Sequence, residues 1–440
     1  MQNVKLKIKD KKTYNLLRFI GKEADRLGYK AFCVGGFVRD LLLGIKNFDI
    51  DIVVEKDAIA FAKALSVALR GTLVTYERFR TATIFMNNGS FRIDIATARA
   101  EEYEKPAALP TVKFDSIKKD LYRRDFTINA MAVSLNNETF GSLIDLFGGE
   151  KDLKSKKIRA LHDLSFVDDP TRIFRAVRFE QRFNFKIEPH TEKLIKTAIT
   201  LDMFGKTQKQ RIRQEIILML SEKHPSRALL RMKGLRELCF IDERLNLEKK
   251  AVGLMLQIEK MCNSFGALAA AKAPVDTWLI FFMALVDELP LYRLKSVCDN
   301  FVFAKADAKR LLSAKVYADK TLRLLNKKKA RASQIYKSLR FLSNEVILYV
   351  LAKSTPYHSL RSGTGQVGQR AKKRIKLYFS KYRNIKTAVD GTDLKRLGVM
   401  PGPKYKEILD KLLFAKIDGE VKTKSDELNL VKALIKTAGV

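Results

Sequence analysis

Two acidic residues in the segment NFDIDIVVE have a spacing that suits metal-assisted chemistry. Acids and isoleucines alternate here, so a β-strand would place Asp49 and Asp51 on one face, with Ile50 and Ile52 packed beneath. Two such carboxylates can bind hard cations such as Mg²⁺, which in phosphoryl transfer activate the attacking hydroxyl and neutralise the leaving group. An ordinary strand with one wet face has the same pattern, so the pair alone decides nothing.

The preceding segment, VGGFVRDLLLG, predicts a turn that could hold phosphates. Gly35 and Gly36 follow an apolar strand and open a helix, where backbone N–H groups can approach a triphosphate. Arg39 lies one turn into that helix and could clamp the same phosphates through charge-assisted hydrogen bonds. A plain tight turn, with Arg39 and Asp40 at a solvated helix start, is the alternative.

The later segment DDPTRIFRAVRF offers a carboxylate and a guanidinium at helical spacing. On a helix, Asp169 and Arg172 would share a face. An acceptor beside a donor matches the amino group and ring nitrogen of cytosine and adenine, whereas guanine and uracil present the reverse order. Alternatively, Asp169 caps the helix and Pro170 occupies its first position.

Arg175 and Arg178 continue the same helix in steps of three residues. They could therefore lie near the face that carries Arg172 and contact phosphate or ribose. A basic helix face directed at solvent is the alternative interpretation.

Together these segments resemble a known family. The glycine segment followed by D-x-D is similar to the head signature of the class II tRNA nucleotidyltransferases and bacterial poly(A) polymerases, in the polymerase-β-like superfamily. RRDFTINAMA, DLFGG and DDPTRIFRAVRF follow in the family's order. The resemblance implies that Arg124 and Asp125 hold triphosphate and ribose, that DLFGG joins head to neck, and that Asp169 and Arg172 read the nucleobase.

Two departures from the family pattern concern the geometry of the neck. Asp168 stands where the family usually has Glu, and Gln210 replaces the usual Glu before Arg211, although Glu215 is retained. Neither departure affects the implied reaction class.

The resemblance implies a template-independent enzyme that adds C, C and A to the 3′ end of tRNA from CTP and ATP, releasing pyrophosphate. Asp49 and Asp51 are its expected Mg²⁺ ligands and catalytic residues. An enzyme that adds only the terminal A and a poly(A) polymerase stay open within this class. A non-catalytic RNA-binding factor is the alternative from another class, and it predicts loss of the aspartates or the glycine pair, which are present.

The polar stretch RAEEYEKPAALPTVKFDSIKKDLY contains Pro106 and Pro110, shows little periodicity, and is expected to be mobile. The family resemblance implies that a loop here remodels the pocket from C to A, and its intact length favours addition of A. Asp94, on the preceding strand, is either a third acid near the metal or an exposed strand acid.

These residues require an α+β fold to position them. Short strand signals fill residues 31–145, and segments of helical period follow from about residue 150. With the resemblance, this predicts a polymerase-β-like nucleotidyltransferase head with a mixed sheet and helices, followed by an all-helical neck, body and tail. The expected boundaries are 1–147 for the head, 148–220 for the neck, 221–330 for the body and 331–440 for the tail, with linker candidates KAPVD and GTGQVG.

The charge balance predicts a polyanionic partner. Lys and Arg number 84 against 49 acids, a net charge of +35, which favours phosphate binding over the alternative of a merely lysine-rich surface. Basic clusters near Tyr378, Phe379 and Tyr382 could grip the tRNA acceptor or elbow region, or form solvated helices.

Other classes of function find little support in the sequence. There is no apolar run of membrane length, and the charged N-terminal stretch lacks a signal-like core, so a cytoplasmic location without membrane contact is expected. The four cysteines and four histidines are scattered, which excludes a zinc or disulfide framework by spacing. No protein partner is evident.

Overall fold

The structure is a computed structural model, and it describes residues 10–45, 49–86, 91–102, 105–108, 110–235, 238, 240–245, 247–270, 274–354 and 368–437. The chain forms two compact units, Met1–Met219 and Leu220–Val440. The division into head, neck, body and tail is finer than this and stays a prediction.

A seven-stranded mixed sheet organises the first unit. The strands of the head are β1 Ala31–Val34, β2 Asp49–Val54, β3 Thr72–Tyr76, β4 Thr81–Met86, β5 Phe91–Thr97, β6 Arg99–Glu102, β7 Thr111–Phe114, β8 Met131–Ser134 and β9 Leu143–Asp145. Their order in the sheet is β3-β4-β5-β2-β1-β8-β9, and β6 pairs with β7 separately. β2 and β5 run parallel, and the other neighbours in the large sheet run antiparallel.

The central strands β2 and β5 owe their place to alternating apolar residues. Ile50, Ile52, Ile93 and Ile95 are all almost completely buried. Because side chains alternate along a strand, the polar residues between them project to the opposite face. The predicted placement of the aspartates opposite the isoleucines is therefore seen in the strand.

Helices surround this sheet and extend the first unit. They are α1 Lys11–Leu27, α2 Gly35–Leu43, α3 Ala58–Leu69, α4 Ile117–Tyr122, α5 Gly149–Lys154, α6 Ser165–Asp168, α7 Arg172–Phe183, α8 Pro189–Thr200, α9 Met203–Lys206 and α10 Lys209–Leu220. Two short strands, β10 Lys157–Ile158 and β11 Lys186–Ile187, pair in parallel beyond the head. The prediction that the chain is all-helical after about residue 150 is therefore correct for the first unit except for β10 and β11.

The DLFGG segment turns the chain from β9 into α5. Asp145 accepts hydrogen bonds from the backbone N–H groups of Gly149, at 2.8 Å, and Glu150, at 2.9 Å. A side chain at Gly149 would collide with the carbonyl oxygen of Thr127, so this position needs glycine. The motif therefore fastens the end of the sheet to the helices that follow.

The polar stretch RAEEYEKPAALPTVKFDSIKKDLY, which shows little periodicity in sequence, contains regular structure in its described residues. β6 and β7 form a two-stranded ladder, and α4 ends the segment. The sequence pattern does not reveal them because polar strands carry no apolar alternation, and because Asp120 is buried through ion pairs instead of apolar packing.

The second unit is helical in all its described elements. These are α11 Pro225–Gly234, α12 Lys249–Ala270, α13 Thr277–Leu285, α14 Leu291–Asn300, α15 Lys305–Asn326, α16 Ala332–Leu339, α17 Asn344–Lys353, α18 Gln369–Ser380, α19 Gly391–Arg396, α20 Pro403–Asp418 and α21 Lys424–Thr437. A cluster around Leu394, Leu412 and Val431 forms the core of the last three helices.

Some features predicted from the sequence lie partly or wholly outside the residues that the structure describes. Both linker candidates lie partly outside the described residues: residues 272–273 of KAPVD and residues 363–367 of GTGQVG. Cys33, Cys262 and Cys298 are free thiols, and Cys239 lies outside the described residues. Among the described helices, none has the length and apolar character needed to cross a membrane.

Candidate active site

An open cavity of about 940 Å³ in the first unit brings the predicted site residues together. Every residue proposed from the sequence as catalytic, metal-binding or nucleotide-binding lines it: Gly35, Gly36, Arg39, Asp49, Asp51, Arg124, Asp125, Asp169, Arg172, Arg175 and Arg178. They come from β2, from α2 and α7, and from the loops before β8 and α7. The cavity is thus built at one place from segments far apart in sequence.

The carboxylates on β2 have acidic and basic neighbours on β5. The strand register sets Asp51 beside Asp94 and Asp49 beside Arg92. Arg92 lies 3.8 Å from Asp49 and 3.1 Å from Asp94, and Thr83 donates a 2.7 Å hydrogen bond to Asp94. Asp94 is therefore held by protein groups, and it is absent from the described lining of the cavity.

Asp51 lies in an environment that disfavours its negative charge. Burial raises the pKa of Asp51 to about 6; Arg124 opposes this effect, and Asp94 and Asp49 reinforce it. A bound cation would offset the crowding of these carboxylates, and Mg²⁺ is commonly held by one or two carboxylates together with water and phosphate oxygens. The donor set therefore fits such an ion. Within the described residues, no three His, Cys, Asp or Glu side chains are grouped to hold a metal by themselves.

The glycine turn presents backbone N–H groups beside an arginine. Val34 precedes α2 and provides no side-chain cap, and Gly35 has a φ of +65°. A Cβ atom at Gly35 would lie 2.5 Å from Nη1 of Arg124. Asp120 fixes Arg124 from behind, with 2.9 Å between Oδ2 and Nη2. The turn and Arg124 thus form one wall of the cavity.

Arg39 has protein partners on most of its guanidinium group. It donates to Asp40 from Nε at 2.8 Å and to Asn129 from Nη1 at 2.7 Å. Its guanidinium also lies over the rings of Phe179, at 5.3 Å, and Phe183, at 4.6 Å. The solvated helix start considered for Arg39 and Asp40 is wrong, because both residues are buried.

Asp125 connects the head motif to α7. Its Oδ1 accepts a hydrogen bond from Asn129 at 2.9 Å, and its Oδ2 pairs with Arg175 at 2.7 Å. Burial acts to raise the pKa of Asp125, but Arg175 and these hydrogen bonds outweigh it and lower the pKa to about 2. Asp125 is therefore a buried anion whose charge is compensated by α7.

Asp169 and Arg172 do not share a helical face, which corrects the geometric argument for their pairing. α7 begins at Arg172, and Asp169 lies before it in extended conformation, where Pro170 separates it from the helix. Oδ1 of Asp169 accepts the N–H of Thr171 at 3.0 Å, as a capping residue would. Arg172 instead donates to Ser165 and to the carbonyl oxygen of Arg123, both at 2.8 Å.

The arginines of α7 do not form a solvent-facing basic surface. Arg178 is 7% exposed and lies 3.5 Å from Glu215 of α10. Arg175 lies 3.7 Å from the same carboxylate in addition to its pair with Asp125. The alternative of a solvated basic face is therefore wrong for these residues.

Several residues that line the cavity were not predicted from the sequence as site residues. Arg92, Arg123, Asn129 and Arg211 all line the cavity. Asn129 follows Asp125 at helix-like spacing within RRDFTINAMA, which was a usable signal, whereas the pairing of Arg211 with Asp169 has no local signature. Asp120 precedes Arg123 and Arg124 by three and four residues, which is ion-pair spacing on a helix.

A mixed sheet that places two aspartates beside a glycine turn defines the head of a nucleotidyltransferase. The family described as Poly A polymerase head domain matches residues 31–159. An A-adding tRNA nucleotidyltransferase of Halalkalibacterium halodurans is 30% identical over 95% of this chain and 91% of its own length. The chain belongs to the class II tRNA nucleotidyltransferase family.

Further relatives and solved structures show the extent of the likeness. An A-adding tRNA nucleotidyltransferase of Geobacter sulfurreducens is 41% identical over 97% of this chain and 47% of its own length. This chain spans about half the length of that relative and of one from Aquifex aeolicus. The Thermotoga maritima CCA-adding enzyme complexed with tRNA aligns with a TM-score of 0.72 and 36% identity, covering 98% of this chain and 97% of that chain.

Proposed function

We propose that this chain adds C, C and A to the 3′ end of tRNA, using CTP and ATP without a nucleic-acid template and releasing pyrophosphate. The observation that carries the proposal is the shared cavity, which joins Asp49 and Asp51 to a glycine turn and a group of arginines. We assign catalysis to residues 1–147, base reading to 148–220 and tRNA binding to 331–440, with 221–330 as a helical body.

Asp49 and Asp51 would hold Mg²⁺ in this proposal. The ion supplies charge stabilisation for phosphoryl transfer and lowers the pKa of the attacking 3′-hydroxyl. The protein contributes the placement of the two carboxylates on one strand beside the glycine turn. Asp94 orients the neighbouring Arg92 instead of binding the ion itself.

The triphosphate would lie against the glycine turn. Gly35 and Gly36 begin α2, and no side chain caps this end of the helix. Their backbone N–H groups would therefore donate to the phosphate oxygens at the helix end that favours negative charge. Arg124 adds a guanidinium at the same wall. Arg39 and Asp125 complete the nucleotide-binding set, and their buried partners fix the position of this wall relative to α7.

Asp169 and Arg172 would read the base edge. Asp169 accepts the amino group of cytosine or adenine, and Arg172 donates to the adjacent ring nitrogen after exchanging a present partner. Arg175 and Arg178 line the same cavity and would contact ribose or phosphate. Guanine or uracil would leave unpaired groups here, at a cost of about 1–3 kcal/mol for each buried one.

A second candidate is addition of the terminal A alone. The names of the Geobacter sulfurreducens and Halalkalibacterium halodurans relatives favour it. It uses the same cavity, and it differs in whether CTP is a substrate.

The deciding experiment offers three tRNA transcripts, ending before CCA, after the first C and after CC, each with CTP and ATP. Completion of all three supports CCA addition. Extension of only the CC form indicates an A-adding enzyme, and a long A tail indicates a poly(A) polymerase. Asp51→Ala should abolish every product while tRNA binding persists, and unchanged activity of this variant would refute the metal assignment.

A further inference from the structure

A second cavity, of about 650 Å³, lies in the second unit beside α15 and α16. Its lining includes Tyr317, Lys320, Arg323 and Lys327, which recur every three to four residues and so follow one face of α15 and its end. Lys337 and Phe341 line it from α16 and the residues just after it. This cavity contains no residue of the candidate active site.

The cavity gathers several positive charges, of which Arg323 is partly balanced by the nearby Asp319 and Lys337 by Asp410 and the ring of Phe414. Lys320, Arg323, Lys327 and Lys337 form no direct ion pair with any described residue, although Arg340 and Lys353 nearby in sequence each pair with aspartate. Grouped cations repel one another and raise the local concentration of anions. The cavity is therefore suited to a phosphate-bearing ligand.

Phe341 supplies an aromatic surface in the same cavity. The side chain is 76% exposed, which is high for a phenylalanine. The guanidinium of Arg340 lies 4.4 Å from the centre of its ring, and Asp410 fixes that guanidinium through two 2.8 Å hydrogen bonds. One side of the ring is thus supported by a cation that is itself held in place, while most of the side chain stays accessible to a flat ligand.

We propose that this cavity binds one unstacked nucleotide of an RNA chain, with its base on Phe341 and its phosphates against the cations of α15 and Lys337. Base stacking on an aromatic side chain together with phosphate pairing is the usual chemistry of single-stranded RNA binding. A free mononucleotide shares that chemistry. The exposed run Lys327–Lys329 at the end of α15 favours RNA, because it extends the positive surface beyond what one nucleotide would cover.

This inference deepens the proposed function, since it places an RNA contact far in sequence from the transfer site. It can nevertheless be tested separately, because binding can be measured without CTP, ATP or Mg²⁺. Failure of nucleotide transfer would then leave the binding result unaffected, and the reverse also holds.

The test uses a short single-stranded oligouridylate that carries 4-thiouridine and a fluorophore. We expect ultraviolet crosslinks to the peptide that contains Phe341, and Phe341→Ala should abolish them and weaken binding about 5- to 150-fold. Phe341→Trp should restore both. Tyr292→Ala removes an exposed aromatic of the same unit outside the cavity and should behave like the unaltered protein.

A second pair of variants tests the cations. The double change Lys320→Gln with Arg323→Gln should reduce the slope of log affinity against log salt by about 1.4, which corresponds to two lost phosphate contacts. Lys305→Gln with Lys309→Gln removes the same charge from α15 outside the cavity and should leave the slope nearly unchanged.

Three results would overturn the proposal. Crosslinks that map only outside the Phe341 peptide would place RNA elsewhere, and equal affinity of Phe341→Ala and Tyr292→Ala would exclude stacking. Crosslinking by 4-thiouridine monophosphate but not by the oligonucleotide would assign the cavity to a free nucleotide. Thermal unfolding of each variant verifies that it is folded.

Discussion

Asp169 forms its ion pair with Arg211 of α10, whose Nη2 lies 2.8 Å from Oδ2, and within the described chain it forms none with Arg172. The other oxygen of Asp169 is occupied by Thr171. Nη1 of Arg211 is buried and has no hydrogen-bond partner among the described residues. Arg211 therefore contacts the oxygen that would accept the amino group of a base, at the cost of one unsatisfied donor of its own.

Loss of Arg211 should relax base selection. Without it, Asp169 loses the partner that fixes its orientation, so we expect Arg211→Ala to lower kcat/KM for ATP about 10- to 100-fold, the value of one charged hydrogen bond. Misincorporation of U and G should increase. Steady-state kinetics with all four nucleotides measure both effects, and Lys206→Ala controls for the loss of an exposed cation. Unchanged selectivity would show that Arg211 has no part in reading the base.

Substitution of Asp49 or Asp51 should reduce nucleotide incorporation far more than substitution of the neighbouring Asp94. Asp49→Asn and Asp51→Asn should each reduce incorporation about a thousandfold or more, because a metal ligand contributes several kcal/mol to the transition state. Asp94→Asn should reduce incorporation less, since Arg92 and Thr83 already bind that carboxylate. Single-turnover assays with prebound tRNA separate chemistry from binding. An Asp94 variant as inactive as Asp51→Asn would instead make Asp94 a ligand.

The sequence predicted which residues lie together in the cavity, but it did not predict their ion-pair and hydrogen-bond partners. Alternation placed Asp49 and Asp51 on one strand face because isoleucines fill the other. Helical period located α7, but Pro170 sets Asp169 outside it, and this local effect defeats the spacing argument. The edge strand β3 has no buried residue, so alternation of apolar and polar residues marks it less clearly than the central strands. The ion pair of Asp169 with Arg211 joins distant segments, so only the fold reveals it.

The proposed role of the glycine turn in phosphate binding can be tested by comparing Gly35 with Gly28, which lies outside the turn and has a similar backbone conformation. Gly35 and Gly28 have φ values of +65° and +71°, so alanine at either should cost about 1–2 kcal/mol of folding free energy. At Gly35 the added Cβ also meets Arg124, whereas at Gly28 it meets nothing within 4 Å. We therefore expect thermal destabilisation in both variants, at least as large in Gly35→Ala, but weaker ATP binding in Gly35→Ala alone. Equal ATP affinity in the two variants would contradict a phosphate role for this turn.

The buried anion Asp125 should give the fold a specific acid sensitivity. Its pKa is about 2 in the folded protein and about 3.9 when unfolded, so the unfolded chain binds the proton more readily. The resulting contribution of about 2–3 kcal/mol is complete above pH 5 and is lost as the pH falls toward 2.

Asp125→Asn abolishes this titration. Denaturant unfolding followed from about pH 6 to pH 3 should therefore show a shallower loss of stability in the variant than in the unaltered protein. The variant should also be less stable at neutral pH, because Arg175 loses its closest anionic partner. Parallel curves for the two proteins would mean that another group accounts for the acid sensitivity.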